Sequence, residues 1–396
     1  MRASRLTVFS LFVGLSAVAR AVYAPVPDQQ QGRDISISLE AGLTYNSNIF
    51  GAATDPISSW IYEVSPNLAF NSSLSDQTFF SAHFHPTLDY FDNRPGQKAV
   101  YSQAIDARIA HSYSPTSVLD VSDSYSYDQN PEALLNGTQT PLNTDQTLQS
   151  NEFDAHFSFA PTEKLGLIVK ARSVYYDYIN EQLGDQLNRF ENLYGLEFDY
   201  SLLPDLKLAG EYRHQDVVYQ ANDPTAENKH TDFFMAGFDY AAGPKLTASF
   251  RLGAEYRDIV GQSSQTAPYA EFSLKYDYAK GSYVSVGYTY DLEETSAPNQ
   301  FTDERVNRMF INIQHQFSPL IVGSASLDYE PSTLVARPGQ GPNIEEDSTH
   351  AGVALTYLPT KDWSIIGSYD YDNVDSALSY RGLERTRFGL SATYVF

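Results

Sequence analysis

The feature that most limits what this chain can fold into is an alternation of apolar and polar residues, two to the period, that returns along almost its whole length. Ile35, Ile37, Leu39, Ala41, Leu43 and Tyr45 alternate with Ser36, Ser38, Glu40, Gly42, Thr44 and Asn46. Leu246, Ala248, Phe250, Leu252, Ala254 and Tyr256 alternate in the same way with Thr247, Ser249, Arg251, Gly253, Glu255 and Arg257. A helix would scatter these residues round a cylinder, whereas a strand sends successive side chains to opposite faces. Each stretch therefore reads as a long strand with one greasy face and one wet face.

Short connections punctuate the strands: SLSD near 74, SPTS near 115, APTEK near 162, LPD near 204, AGPK near 243, KGS near 281, SPL near 319 and LPTKD near 360. They recur at intervals of roughly forty residues, one hairpin of two long strands each. Longer polar connections, such as 129–146 and 331–347, lie between them. Counting outwards from the short turns, with one further strand at each end, gives about eighteen strands, from 34–46 to 382–396. At about 13 to 15 residues each, they exceed the roughly 9–11 that cross a bilayer when tilted. A soluble sandwich or propeller would break its strands at about five or six residues. In lipid every backbone N–H and C=O must find a partner within the protein, so so long a sheet must close on itself. The expected fold is all-β: a closed antiparallel transmembrane β-barrel spanning 34–396.

Composition agrees once the alternation is in view. Aromatic residues make up 14% of the chain, with 29 Tyr and 23 Phe, yet the mean hydropathy is only −0.36. Dispersing apolar residues singly among polar ones reconciles the two. The rings also fall where membrane boundaries are expected. Phe70, Tyr113, Tyr200, Tyr278 and Phe396 stand next to the short turns or the chain end; Tyr45, Tyr90, Tyr178, Tyr219 and Tyr329 stand next to the long loops.

The first residues open with Arg2 and Arg5, continue through the apolar run 6–18 and close on small residues. That is the plan of a secretory signal peptide over 1–24, cut after Ala21 or Ala24, with 25–33 as a short segment before the barrel. There is no cysteine, which removes disulfides, Cys-ligated metals and an N-terminal lipid anchor on Cys. A net charge of −23 speaks against a nucleic-acid partner, which needs a basic face.

The wet face carries both signs. Lys170, Arg172, Glu197, Glu211, Arg213, Arg251, Glu255, Arg257, Glu271, Lys275, Arg385 and Arg387 are the candidate pore-lining residues, with Glu40, Asp106, Arg108, Asp199 and Asp277 on the same face. Barrels of 16–18 strands leave an aqueous lumen, so a channel for hydrophilic solutes is the expected function. The competing reading is that these charges pair across the lumen and fill it. No Gly-x-Ser-x-Gly elbow, His-Glu-x-x-His motif or phosphate loop occurs, so neither catalysis nor a cofactor is expected. His83 and His85 are the closest histidine pair, without an evident third ligand, and no metal site is assigned.

The chain ends on RFGLSATYVF, where Phe388, Leu390, Ala392, Tyr394 and Phe396 share one face. In this it resembles bacterial outer-membrane proteins, whose last strand ends in Phe with an aromatic residue two positions earlier. The resemblance implies short turns in the periplasm, longer loops outside the cell, lipid and lipopolysaccharide as surroundings, and Tyr394 and Phe396 as the signal read by the outer-membrane assembly machinery. The repeated hairpins, Tyr-rich strands and strand count look like the second family of β-barrel porins, which implies a passage for exopolysaccharide. A non-conducting barrel that displays its loops for adhesion is the alternative. The oligomeric state stays open.

Overall fold

The computed structural model describes residues 34–131, 147–220 and 228–396. The expected signal peptide, the segment 25–33 and residues 132–146 of the first long connection lie outside the described residues. Eighteen strands make up the fold: β1 (Ile35–Asn46), β2 (Ser59–Ser75), β3 (Thr78–Phe91), β4 (Ala99–Ser114), β5 (Ser117–Asp128), β6 (Leu148–Phe159), β7 (Leu165–Tyr178), β8 (Arg189–Leu203), β9 (Leu206–Tyr219), β10 (Lys229–Ala242), β11 (Leu246–Ile259), β12 (Gln265–Ala279), β13 (Ser282–Glu293), β14 (Phe301–Ser318), β15 (Ile321–Ala336), β16 (Ile344–Tyr357), β17 (Trp363–Ser376) and β18 (Leu383–Val395). One short helix, α1 (Glu181–Leu187), interrupts the connection from β7 to β8.

Each strand pairs antiparallel with its successor, and β1 pairs with both β2 and β18. The sheet is thus closed, with no edge for another chain to extend. The seam runs from Ser38 opposite Val395 to Asn46 opposite Arg387. Beyond it the Phe396 amide donates to the Ile37 carbonyl at 2.9 Å, and the Tyr394 ring packs against Trp363, centroids 5.0 Å apart. An ordered aromatic terminus is therefore part of the closure. The eight short turns fall where expected, and strand lengths spread from 12 residues in β1 to 18 in β14.

The wall is inside-out relative to a soluble protein. On β8, Phe198 is 60% exposed while its neighbour Glu197 is 3% exposed. On β10, Phe234 stands out at 60% while Phe233 and Met235 are buried. A continuous exposed band of Leu, Ile, Val, Phe and Tyr has no stable place in water and suits hydrocarbon. The backbones of β10 and β11 approach each other closely at two glycines. A Cβ on Gly237 would lie 1.7 Å from the Phe250 carbonyl oxygen, and one on Gly253 would lie 2.0 Å from that of Phe234. Only glycine lets the two backbones approach this far.

One expectation about the rings needs correction. Tyr178 and Tyr219 are only 5% and 8% exposed and point inward rather than into a membrane belt. Their parity matches Lys170 and Glu211, not the outer wall. The outward rings at this end are Tyr175 against Phe190, centroids 4.5 Å apart, and Tyr212 against Phe234, at 5.2 Å.

If the band is a lipid surface, an added charge there must be costly. Leu390→Arg, on the exposed side of β18 at 58%, is expected to destabilise the folded barrel by about 2–4 kcal/mol. Urea unfolding in lipid vesicles measures this; the same change at an inward position such as Ser391 is expected to cost far less.

Candidate pore and its charged lining

All twelve sequence-selected side chains lie on the inner face, and the structure gathers most of them into ion lattices. The first lies along β7 to β12. Glu197 and Glu211 stand directly opposite one another, an arrangement that would repel. Lys170 bridges them, bonding Glu197 closely and Glu211 at 2.8 Å. Arg251 reaches Glu197 at 2.8 Å and Asp239 at 3.0 Å. Arg213 bonds Glu211 at 2.8 Å, donates to the Tyr269 hydroxyl at 3.0 Å and approaches Glu271 at 3.6 Å. Burial of Glu197 and Glu211 is tolerable because each meets more than one cation.

A second lattice closes the long-loop end. Residues 294–300, between β13 and β14, fold into the barrel, and Thr295 is wholly buried. Glu294 accepts from Lys229 Nζ and from the Tyr219 hydroxyl, both at 2.7 Å. Arg257 bonds Asp303 at 2.6 Å, the Leu292 carbonyl at 2.7 Å and the Thr231 hydroxyl at 3.1 Å. Glu255 accepts the Leu292 amide at 2.9 Å. Beside it, Arg308 bonds Glu330 at 2.6 Å and Glu293 at 3.0 Å. Arg381, from the β17–β18 loop, makes a two-pronged pair with Glu346, both bonds 2.8 Å, and donates to the Ser296 hydroxyl at 3.0 Å. Two inward loops are thereby tied together. Farther round, Asp372 receives Arg385 at 2.8 Å, Arg387 at 3.3 Å and His350 at 2.6 Å. Arg172 and Lys275 stay outside these clusters: Arg172 pairs with Glu152 at 3.0 Å, and Lys275 lies between Asp277, at 3.4 Å, and the face of Tyr283, at 4.8 Å.

Burial by itself would raise the Glu294 carboxyl, but Lys229 and Arg257 outweigh it and hold the group below its ordinary value. A carboxyl lowered in this way stabilises the inward loop fully above the ordinary value of 4.5 and loses that contribution as pH falls through its own lower value. Acidification below the ordinary carboxyl value of 4.5 is therefore expected to loosen residues 294–300 progressively, and Glu294→Gln to abolish that part of the acid response. Proteolysis of reconstituted protein across a pH series checks both.

The inner face of β1 to β6 is different. It carries Glu40, Glu63, Asp89, Asp106, Asp120, Asp128, Glu152 and Asp154 against one guanidinium, Arg108, which pairs closely with Asp120. Many inward positions here are at least partly open, including Thr44, His83, Asp106, Ser122 and Ser124, whereas Glu255, Arg257, Asp303 and Arg381 on the opposite wall are sealed at 0–1%. Of these acids, only Glu40 and Asp106 are among the inward residues that the sequence alternation picks out. His85 meets the Ser65 hydroxyl at 2.9 Å, and the described residues place no third ligand with His83 and His85.

Apolar packing fixes the rim above this open wall. Ile49, from the β1–β2 loop, packs on Phe91 and Val100. Leu187 of α1 packs on Leu148 and Tyr178, which explains why Tyr178 turns inward. The helix is capped by Asn180, whose side chain accepts the Leu183 amide at 3.2 Å. The more exposed inward positions thus lie along β1–β6, and the buried ion lattices lie on the opposite wall.

No protein-family model and no curated protein matches the chain. Solved structures similar to it include OccK5 (OpdH) of Pseudomonas aeruginosa, with a TM-score of 0.46 and 14% identity over 92% of this chain and 98% of that one. OccAB3 of Acinetobacter baumannii gives 0.45 and 12%, over 92% and 100%. The FrpB iron transporter of Neisseria meningitidis gives 0.46 and 9%, over 94% and 83%.

Proposed function

We propose that this protein is a bacterial outer-membrane channel for small hydrophilic solutes, with a preference for cations. The observation that carries this reading is the asymmetry of the lumen. One wall gathers its charges into buried lattices, and the other presents eight carboxylates along a part-open face, with Arg108 as its own guanidinium and Arg172 reaching Glu152 from β7. Water and ions need no more than that face; a cation gains from it and an anion does not. Purified protein in planar bilayers tests the proposal. Discrete conductance steps, with a reversal potential displaced towards the cation potential under a salt gradient, are expected. A folded barrel that inserts and stays silent would favour a role in displaying its loops instead and would contradict the proposal.

The resemblance to the second family of β-barrel porins offers polysaccharide as another cargo. The inward loops 294–300 and 377–382 and α1 narrow the long-loop mouth, so small solutes suit the path better than a sugar chain. On the same reading lipopolysaccharide surrounds the outer wall at the long-loop end, and Tyr394 and Phe396, aligned at the seam, present the assembly signal.

A further inference from the structure

The outer wall carries a group of side chains, on β9 and β10, that neither the lumen nor the hydrocarbon band explains. On β9, His214 and Asp216 point outward; on β10, directly across the ladder, Asp232 stands opposite His214 and His230 opposite Asp216. Their side chains are 29–48% exposed, and the next outward pair towards the short turns is Tyr212 and Phe234 of the aromatic belt. His230 is the second residue of β10. The group therefore lies just above the ring boundary, on the long-loop side.

We propose that these residues bind one zinc-type divalent cation on the outside of the barrel. Asp216 Oδ1 sits between His214 Nε2, at 3.2 Å, and His230 Nδ1, at 2.5 Å. One ligand atom from each of these three residues lies within 4.8 Å of the others. A zinc ion bonded to imidazole nitrogen and carboxylate oxygen at about 2.0–2.2 Å needs donors at such separations. Two imidazoles and one carboxylate favour a first-row ion such as Zn²⁺ over Mg²⁺ or Ca²⁺, which prefer all-oxygen sites. Asp232 completes the arrangement without being a ligand. It holds His214 Nδ1 at 2.8 Å, which leaves Nε2 for the metal, and it is itself fixed by the Tyr212 hydroxyl at 2.7 Å. A carboxylate behind a histidine in this way orients the ring and raises its basicity. Three protein ligands leave the fourth position facing outward, open to water or to an oxygen donor of a neighbouring lipid head group.

Titration of the purified, tag-free barrel in detergent with Zn²⁺ by calorimetry tests the site. One ion per chain is expected, with Mg²⁺ unable to compete. His230→Ala is expected to abolish that binding, and Asp232→Asn to weaken it by about 10–100-fold although it removes no ligand. Retained heat-modifiable mobility on gels shows that each variant is folded. Co²⁺, bound in place of Zn²⁺, is expected to give a visible spectrum that His214→Ala removes. Absence of Zn²⁺ binding to the folded protein, equal affinity for Mg²⁺, or binding unchanged in both histidine variants would overturn the proposal.

Discussion

Replacing Arg257 with alanine is expected to give the largest loss of stability of any single change in the lumen, about 3–5 kcal/mol. Asp303 and Glu294 would be left with Lys229 as their remaining cationic partner, and the Leu292 carbonyl and Thr231 hydroxyl would each lose a bond. The penalty comes less from the lost attraction than from carboxylates that stay buried with too little compensation. Because these bonds hold residues 294–300 inside the barrel, the loop should also become sensitive to protease, and conductance should rise or become noisy. Arg257→Met, which keeps much of the volume but not the charge, should behave like alanine if charge is decisive. The midpoint of urea unfolding in vesicles gives the stability term, and single-channel recording gives the loop's part.

The second large effect concerns selectivity. Glu63 and Asp89 stand opposite each other on β2 and β3, with Asp106 and Asp128 on the next two strands facing the same space. Changing Glu63 and Asp89 together to lysine replaces an acidic pair with two positive charges at the centre of the acidic wall. The permeability ratio of cations to anions is expected to fall several-fold, to unity or below, with the barrel still folded. The corresponding change at Lys275 on the far wall, Lys275→Gln, should leave the ratio almost where it was. Reversal potentials under a salt gradient measure both, and low ionic strength sharpens the contrast because screening is weaker there.

Much of this architecture was legible in the sequence because lipid on one side and water on the other imposes a two-residue period that nothing else in a long strand requires. The inward set from Glu40 to Arg387 follows from parity, as do the strand count and the seam at Phe396. Tyr178 and Tyr219 escaped because an aromatic residue at a strand end fits a membrane belt from either side; only the parity of Lys170 and Glu211 distinguishes the faces. The acidic wall was harder to see. On β5 and β6 polar residues occupy both faces, with Asp123 and Asn151 outward and bonded to each other at 3.2 Å, so Asp120, Asp128, Glu152 and Asp154 do not stand out by alternation. Lattice membership was beyond reach for another reason. Lys229 and Asp303 lie on strands that are not neighbours, and Glu294 reaches Lys229 from the connection between β13 and β14. The His214–Asp216–His230 group is hidden in the same way, since its members become neighbours only through the β9–β10 register.

Because the chain has no native cysteine, single cysteines read the environment of each position without background. Thr44→Cys and Ser122→Cys, inward on the β1–β6 wall, are expected to react with a small membrane-impermeant maleimide in reconstituted barrels. Leu43→Cys and Val121→Cys, one residue away and facing lipid, should remain unlabelled, and so should Thr231→Cys in the sealed lattice. Labelling of the lipid-facing pair, or equal labelling of Thr231 and Ser122, would contradict a barrel with hydrocarbon outside and a one-sided aqueous path within.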